Sequence, residues 1–155
     1  MGAKTRRRGD GTVNVYPEFD LSLSAERHPF PLVVARSAGS AAIAPHHHPF
    51  YEISFYADGS AAEFVSGVRI PAVRGTFVCK PPYHIHHTVP EPGKGYAKYS
   101  VMFDIGAMLD SRFDRPLRES YEFGDGGERD FHFRLPDGAA ARMAELAAEL
   151  HGLYR

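Results

Sequence analysis

Cys79 is the only cysteine, so no disulfide can form within the chain. That is the thiol usage of a reducing compartment. Cys79 sits in Thr76-Phe77-Val78-Cys79, where it reads as a buried small hydrophobe rather than a nucleophile. Long apolar runs are also missing: none reaches the roughly 20 residues that a bilayer-crossing helix needs. The basic residues near the N-terminus are not followed by an apolar segment, which excludes a secretory signal of the usual kind. Cytoplasmic location without a membrane partner is therefore the expectation. Charge of one sign is lacking too. The formal net charge is −1, which excludes a broad basic footprint for nucleic acid. Lys4, Arg6, Arg7 and Arg8 form the one dense basic cluster and read as a solvated tail. Nucleophile elbow, phosphate loop and dinucleotide fingerprint are all absent, and so are internal repeats and low-complexity tracts.

What is present is a 155-residue chain with 43% apolar residues, enough for one globular domain with its own core. Its centre of gravity is His46-His47-His48-Pro49-Phe50-Tyr51-Glu52. His46, His48 and Glu52 are separated by even steps, and on a β-strand even steps share a face. Two imidazoles and a carboxylate can then converge on one ion, with His47 and Tyr51 pointing the other way. A second histidine-rich stretch, Pro81-Pro82-Tyr83-His84-Ile85-His86-His87, can supply a fourth ligand from another strand. The alternative is a polar pocket without metal. His47, His84 and His87 read as outer, surface or loop groups, one of which can hydrogen-bond a ligand. Phe50, Tyr56, Tyr83 and Tyr99 are candidates to line a small-molecule pocket, against the plainer role of core aromatics. His132 and His151 receive no function.

Taken in order, residues 1–15 read as a flexible arm. Order begins near Tyr16-Pro17-Glu18-Phe19, and His28-Pro29-Phe30-Pro31 is a turn or extended segment, since prolines so close exclude helix. Leu32 to Arg36 is the first clear strand. Phe50 to Ala57 is a strand apolar on both faces, and Asp58-Gly59 is a hairpin-type turn leading to a return strand over Ala62 to Val65. Ser66-Gly67 turns into a strand from Val68 to Val73, and Arg74-Gly75 into one from Thr76 to Lys80. Pro81-Pro82 ends that ladder. Glu91 to Gly95 is a loop, and Tyr96 to Phe103 a long strand. A short helical or irregular piece near 106–113 and short strands near 118–123 and 130–134 follow. Turns at this spacing indicate an all-β sandwich or barrel. From Asp137, a plausible N-cap, Ala, Leu and Glu dominate and predict a helix over 136–155, with Met143, Leu146, Leu150 and Leu153 on one face. The helix runs to the last residue, which suggests that a following segment is missing. The divisions are thus an arm over 1–15, a barrel over 16–135 and a helix over 136–155.

Two motifs carry a resemblance. Gly39 followed by His46-x-His48-x3-Glu52-x6-Gly59 resembles the first cupin motif, and Gly75-x5-Pro81 followed by His86 resembles the second. The first has one extra residue between Gly39 and His46. The second has Tyr83 where glycine is common and Pro90 where asparagine is common. The resemblance implies a mainly β, jelly-roll cupin barrel followed by a C-terminal α-helix. It also implies a divalent transition metal held by His46, His48, Glu52 and His86, a set that does not separate Zn, Ni, Fe and Mn.

A narrower resemblance is to the sensor domains of AraC-type transcription regulators. It rests on His48-Pro-Phe-Tyr-Glu52-Ile-Ser-Phe-Tyr-Ala-Asp-Gly59, on Gly75-Thr-Phe-Val-Cys-Lys-Pro-Pro-Tyr-His-Ile-His86, and on Tyr96-Ala-Lys-Tyr-Ser-Val-Met-Phe103-Asp. The Leu-striped helix fits as well. What this implies is an effector-sensing domain that binds a small molecule and forms a homodimer through the C-terminal helix. DNA would be contacted only through a domain absent from this chain. The competing reading is a small metal-dependent cupin enzyme, a dioxygenase or isomerase, with Tyr83 or His84 as its acid–base group. A storage or scaffold cupin without a site is the third.

Overall fold

Period-two alternation of β-branched and aromatic residues dominates positions 32–103, and the computed structural model folds that stretch into seven antiparallel strands. The structure describes residues 5–7, 13–15, 32–103 and 132–154. The expected start of order at Tyr16, the His28–Pro31 segment, the piece near 106–113 and the strand near 118–123 lie outside them. Within the expected arm, β1 (Thr5–Arg7) and β2 (Val13–Val15) pair as a short antiparallel ladder.

The barrel strands are β3 (Leu32–Gly39), β4 (Ile43–His46), β5 (Tyr51–Val65), β6 (Val68–Val73), β7 (Thr76–Lys80), β8 (His86–Pro90) and β9 (Tyr96–Phe103). A last short strand, β10 (His132–Arg134), adds to β7, and α1 (Asp137–Leu153) closes the described chain. β5 belongs to both layers. Its first half lies between β9 and β7, and its second half between β6 and β8. β3 extends the first layer beyond β9, and β4 extends the second beyond β8. The architecture is mainly β, a cupin jelly roll with a C-terminal helix.

The shared strand corrects one expectation. Asp58-Gly59 does not reverse the chain. β5 runs through it, with a register shift between Tyr56 and Asp58 against β9. A bulge of this kind bends a strand, and here it carries β5 from one layer into the other. Gly59 is required at the bend: its φ is +77°, and a Cβ there would collide with the Gly95 carbonyl oxygen. Ser66-Gly67 and Arg74-Gly75 are turns as expected. The two histidine-rich stretches, expected on separate strands, lie there only in part: β4 ends at His46 and β8 begins at His86, while residues 47–50 and 81–85 lie outside the strands.

Buried residues alternate with less buried ones along β7 and the first part of β9. Tyr56, Ala61, Val65, Ile70, Ala72, Val78 and Tyr96 form the apolar core. The outer face of the first layer is covered by α1, which packs on β3, β5 and β9. Phe55, Phe77 and Phe133 stack along that face, with centroids 4.9 and 4.8 Å apart. Cys79 lies on it and is half-buried rather than buried. Asp137 is the first helical residue, not the cap. Pro136 holds the N-cap position, and no side chain caps the helix. Ala140 is the residue α1 buries, beneath Gly75. Of the expected stripe, Leu146 and Leu153 are exposed at 41% and 77%, and Met143 and Leu150 are half-buried.

Candidate metal and effector site

The histidines and Glu52 come together, but not on one strand. His46 ends β4, Pro49 and Phe50 bend the chain, and Glu52 enters β5. Proline breaks the ladder here, so the convergence comes from a corner between the two layers. His86 reaches the same place from β8, where it sits directly across from His46. The second histidine stretch is fastened to the first by the Tyr83 N–H, which donates to the His48 carbonyl at 2.8 Å. Tyr83 adopts φ +63° to do so. That left-handed conformation explains why glycine would be at home at this position.

Each imidazole is oriented by the backbone. Nδ1 of His46 lies 2.7 Å from the Ala44 carbonyl, Nδ1 of His48 2.8 Å from that of Phe50, and Nδ1 of His86 2.9 Å from that of His84. A carbonyl oxygen only accepts, so these contacts assign the proton to Nδ1 and leave a lone pair on Nε2 in each neutral ring. The Nε2 atoms of His48 and His86 turn toward one carboxylate oxygen. Glu52 Oε2 is 3.2 Å from Nε2 of His48 and 3.6 Å from Nε2 of His86. Ligand atoms of His46, Glu52 and His86 all lie within 4.8 Å of one another. Among the described residues, Nε2 of His86 is buried without a hydrogen bond. Acceptors gathered this way need a positive particle between them, a shared proton or a metal ion.

Neutral rings are what burial favours. Desolvation, reinforced by His86, lowers the pKa of His46 to about 4, and desolvation likewise lowers that of His86. A metal ligand must be deprotonated, so these rings are ready at neutral pH. The donor set of imidazole nitrogens and one carboxylate fits a divalent transition metal, and the Nδ1 contacts are the orienting bonds such sites use. His46 is the half-exposed member, while His48, Glu52 and His86 are buried, so access is from the His46 side.

Behind the histidines lies an ionic network that the sequence reading missed. Glu52 Oε1 accepts from Lys80 Nζ at 2.7 Å, from Ser54 at 2.8 Å and from Ser100 at 2.8 Å. Lys80 Nζ also lies 3.2 Å from Oε1 of Glu63. That oxygen accepts from Lys98 Nζ at 2.7 Å, Tyr56 OH at 2.8 Å and Thr88 at 3.0 Å. Burial alone would raise both carboxyls, but the ammonium groups outweigh it. Glu52 is held well below the carboxylate range and Glu63 at about 2. The two lysines part company for the same reason. Burial lowers both, yet Lys80 faces two carboxylates and ends up raised. Lys98 faces one and is repelled by Lys80, so it falls to about 8. Parity was the available signal, since Lys80, Glu63 and Lys98 all occupy inward positions of their strands.

The aromatic candidates disperse. Phe50 is buried and stacks on His48, with centroids 4.0 Å apart and planes 5° apart, so it buttresses a ring of the site. Tyr56 is buried among the core residues and bonded to Glu63. Tyr83 is exposed on the turn that touches His48. Tyr99 faces out of the barrel, near Arg36 and His151. Of the other histidines, His47 is fully buried, His84 contacts Ser66 through Nδ1 at 2.9 Å, and His87 stacks on Phe64. A cavity of about 530 Å³ lies at the far end of β8, lined by Ser40, Ala42 and residues 90–95, and it holds none of these groups. Among the described residues no helix is long and apolar enough to cross a membrane.

Among solved structures, a cupin 2 conserved barrel domain protein from Salinispora arenicola is 27% identical over 54% of this chain and 71% of its own, with a TM-score of 0.47. An RmlC-like cupin from Shewanella frigidimarina is 20% identical over 54% and 70%, with a TM-score of 0.45. The salicylate 1,2-dioxygenase of Pseudoaminobacter salicylatoxidans is 14% identical over 47% of this chain and only 22% of its own, also at 0.45. No curated protein matches. The family model described as the AraC-like ligand binding domain matches residues 30–154, from before the first barrel strand to the end of α1. The chain belongs to the family of AraC-like ligand binding domains.

Proposed function

We propose that this domain senses a small molecule at a divalent metal held by His46, His48, Glu52 and His86, and that it serves a transcription regulator whose DNA-binding part lies outside this chain. The observation that carries the reading is the set of three Nδ1–carbonyl contacts, which leave the Nε2 atoms of His48 and His86 facing the Glu52 carboxylate with His46 in the same cluster. An effector is expected to arrive from the His46 side. Below Glu52 the barrel is filled by the lysine–glutamate network and the apolar core. Tyr83 is the aromatic best placed to meet it, because its turn is anchored on His48. Homodimer formation would use the exposed Leu146 and Leu153 of α1, and ligand binding would bias the arrangement of that helix through differential affinity for two states.

Elemental mass spectrometry of the purified domain tests the site. About one equivalent of ion per chain, lost in His48→Ala, is the expected result. No ion even after loading would refute the metal and leave a polar pocket. A metal-dependent dioxygenase or isomerase would use the same ligands; turnover of diketones, thiols or sugars by the Fe- or Ni-loaded protein would replace the sensor reading.

A further inference from the structure

Lys80 is an unusual neighbour for a cation site. It is 1% exposed, it extends from an inward position at the end of β7, and its ammonium group lies 2.7 Å from Glu52 Oε1. It leaves Oε2, the oxygen that faces the imidazoles, free of ammonium contact. The next layer repeats the arrangement, with Lys98 2.7 Å from Glu63. Two carboxylates therefore meet two ammonium groups inside one barrel. The negative charge that would attract a divalent ion is already cancelled before any ion arrives.

Resting on the proposed metal site, we infer that Lys80 is a positioning residue that holds Glu52 to one-oxygen ligation and leaves a bound divalent ion uncompensated, so that the effector completing the site is an anionic oxygen donor such as a carboxylate. A doubly positive ion enclosed among buried groups is costly without an opposite charge. His46 is the half-exposed side of the cluster, and it is there that a carboxylate-bearing small molecule reaches the ion. A neutral ligand of the same shape would leave the excess charge in place. The attraction at issue is Coulombic and short-range, so removing the Lys80 charge acts on both partners in opposite directions: the cation is held more tightly and the anion less.

Cobalt(II) serves as the spectroscopic probe, and benzoate and benzamide as a matched anionic and neutral pair. On the cobalt-loaded wild-type domain, benzoate is expected to shift the visible ligand-field bands at concentrations roughly tenfold or more below those at which benzamide does. In Lys80→Met the Glu63–Lys98 pair is kept. There cobalt is expected to bind about tenfold or more tightly, and the benzoate response to weaken by a similar factor. A purely structural Lys80 would lower stability without moving the bands or reversing the two affinities. Equal responses to benzoate and benzamide, or a variant with unchanged cobalt and benzoate affinities, overturn the inference while leaving the metal site standing. Failure of the wild type to bind cobalt at all overturns the site itself. If Lys80→Met does not fold, the benzoate–benzamide comparison on the wild type decides alone.

Discussion

Glu63 offers the sharpest test of the buried network. Its side chain is fully buried, and one of its oxygens receives Tyr56, Thr88 and Lys98, with Lys80 at 3.2 Å. Glu63→Gln keeps the shape and removes the charge, which is close to protonating the residue permanently. Its carboxyl is held at about 2 against an ordinary 4.5. At about 1.4 kcal/mol per unit, neutralising it costs about 3 kcal/mol at neutral pH. That agrees with the roughly 3–5 kcal/mol lost when one member of a buried pair is removed. Lys98→Met in the same chain removes the orphaned ammonium as well. The double variant is therefore expected to recover to within about 1 kcal/mol of the wild type. Urea denaturation of Glu63→Gln, Lys98→Met and the double variant at constant m-value reads all three differences from the wild type. The pH dependence supplies an independent check. Burial and repulsion from Lys80 bring Lys98 down to about 8. Above that pH the ammonium is already lost, so the cost of Glu63→Gln shrinks. A Glu63→Gln protein within about 1 kcal/mol of the wild type at pH 7, or a double variant whose loss is the sum of two large single losses, would refute the reasoning.

Acid should destabilise the metal-free domain in two stages. His46, at about 4, and His86, also lowered, take up protons in the unfolded chain first, so stability falls below about pH 6.5. Glu52 and Glu63 are depressed too, so their contribution is complete above about pH 4.5 and drains as pH falls toward 2. A melting temperature that stays constant between pH 7.5 and 4 in the presence of a chelator would contradict this. Gly59→Ala combines a left-handed φ with a collision at the Gly95 oxygen and should cost at least about 2 kcal/mol. Gly67→Ala has a similar φ but open space, and should cost only about 1 kcal/mol. Equal losses in the two variants by denaturant titration would mean that the Gly59–Gly95 approach is not tight. Leu153→Gln, at a residue 77% exposed, should change folding stability by no more than about 0.5 kcal/mol. It should nevertheless weaken a homodimer formed through α1; sedimentation equilibrium that finds the same mass for variant and wild type would count against that interface.

The residues of the cluster were legible in the chain, but their geometry was not. His46, His48 and Glu52 were picked out by even spacing on a single strand, whereas the structure brings them together around a corner at Pro49 and Phe50. The juxtaposition holds because β4 and β5 belong to layers that meet there. Asp58-Gly59 shows the converse error. A turn dipeptide between two β runs has the composition of a hairpin, but the same left-handed glycine also serves a bulge, and only the pairing of β5 with β9, β7, β6 and β8 distinguishes them.

Local chemistry is short-range, so the sequence by itself determined the strands at β3, β6, β7 and β9, the helix after Pro136, and the spaced ligands of the two motifs. Tertiary structure decided what depends on residues far apart in the chain. Lys80 and Lys98 look like ordinary strand lysines until the barrel closes and sets them 2.7 Å from Glu52 and Glu63, from which they are 28 and 35 residues distant. Charges removed from water must find partners wherever the fold supplies them, and no local pattern records which partners those are.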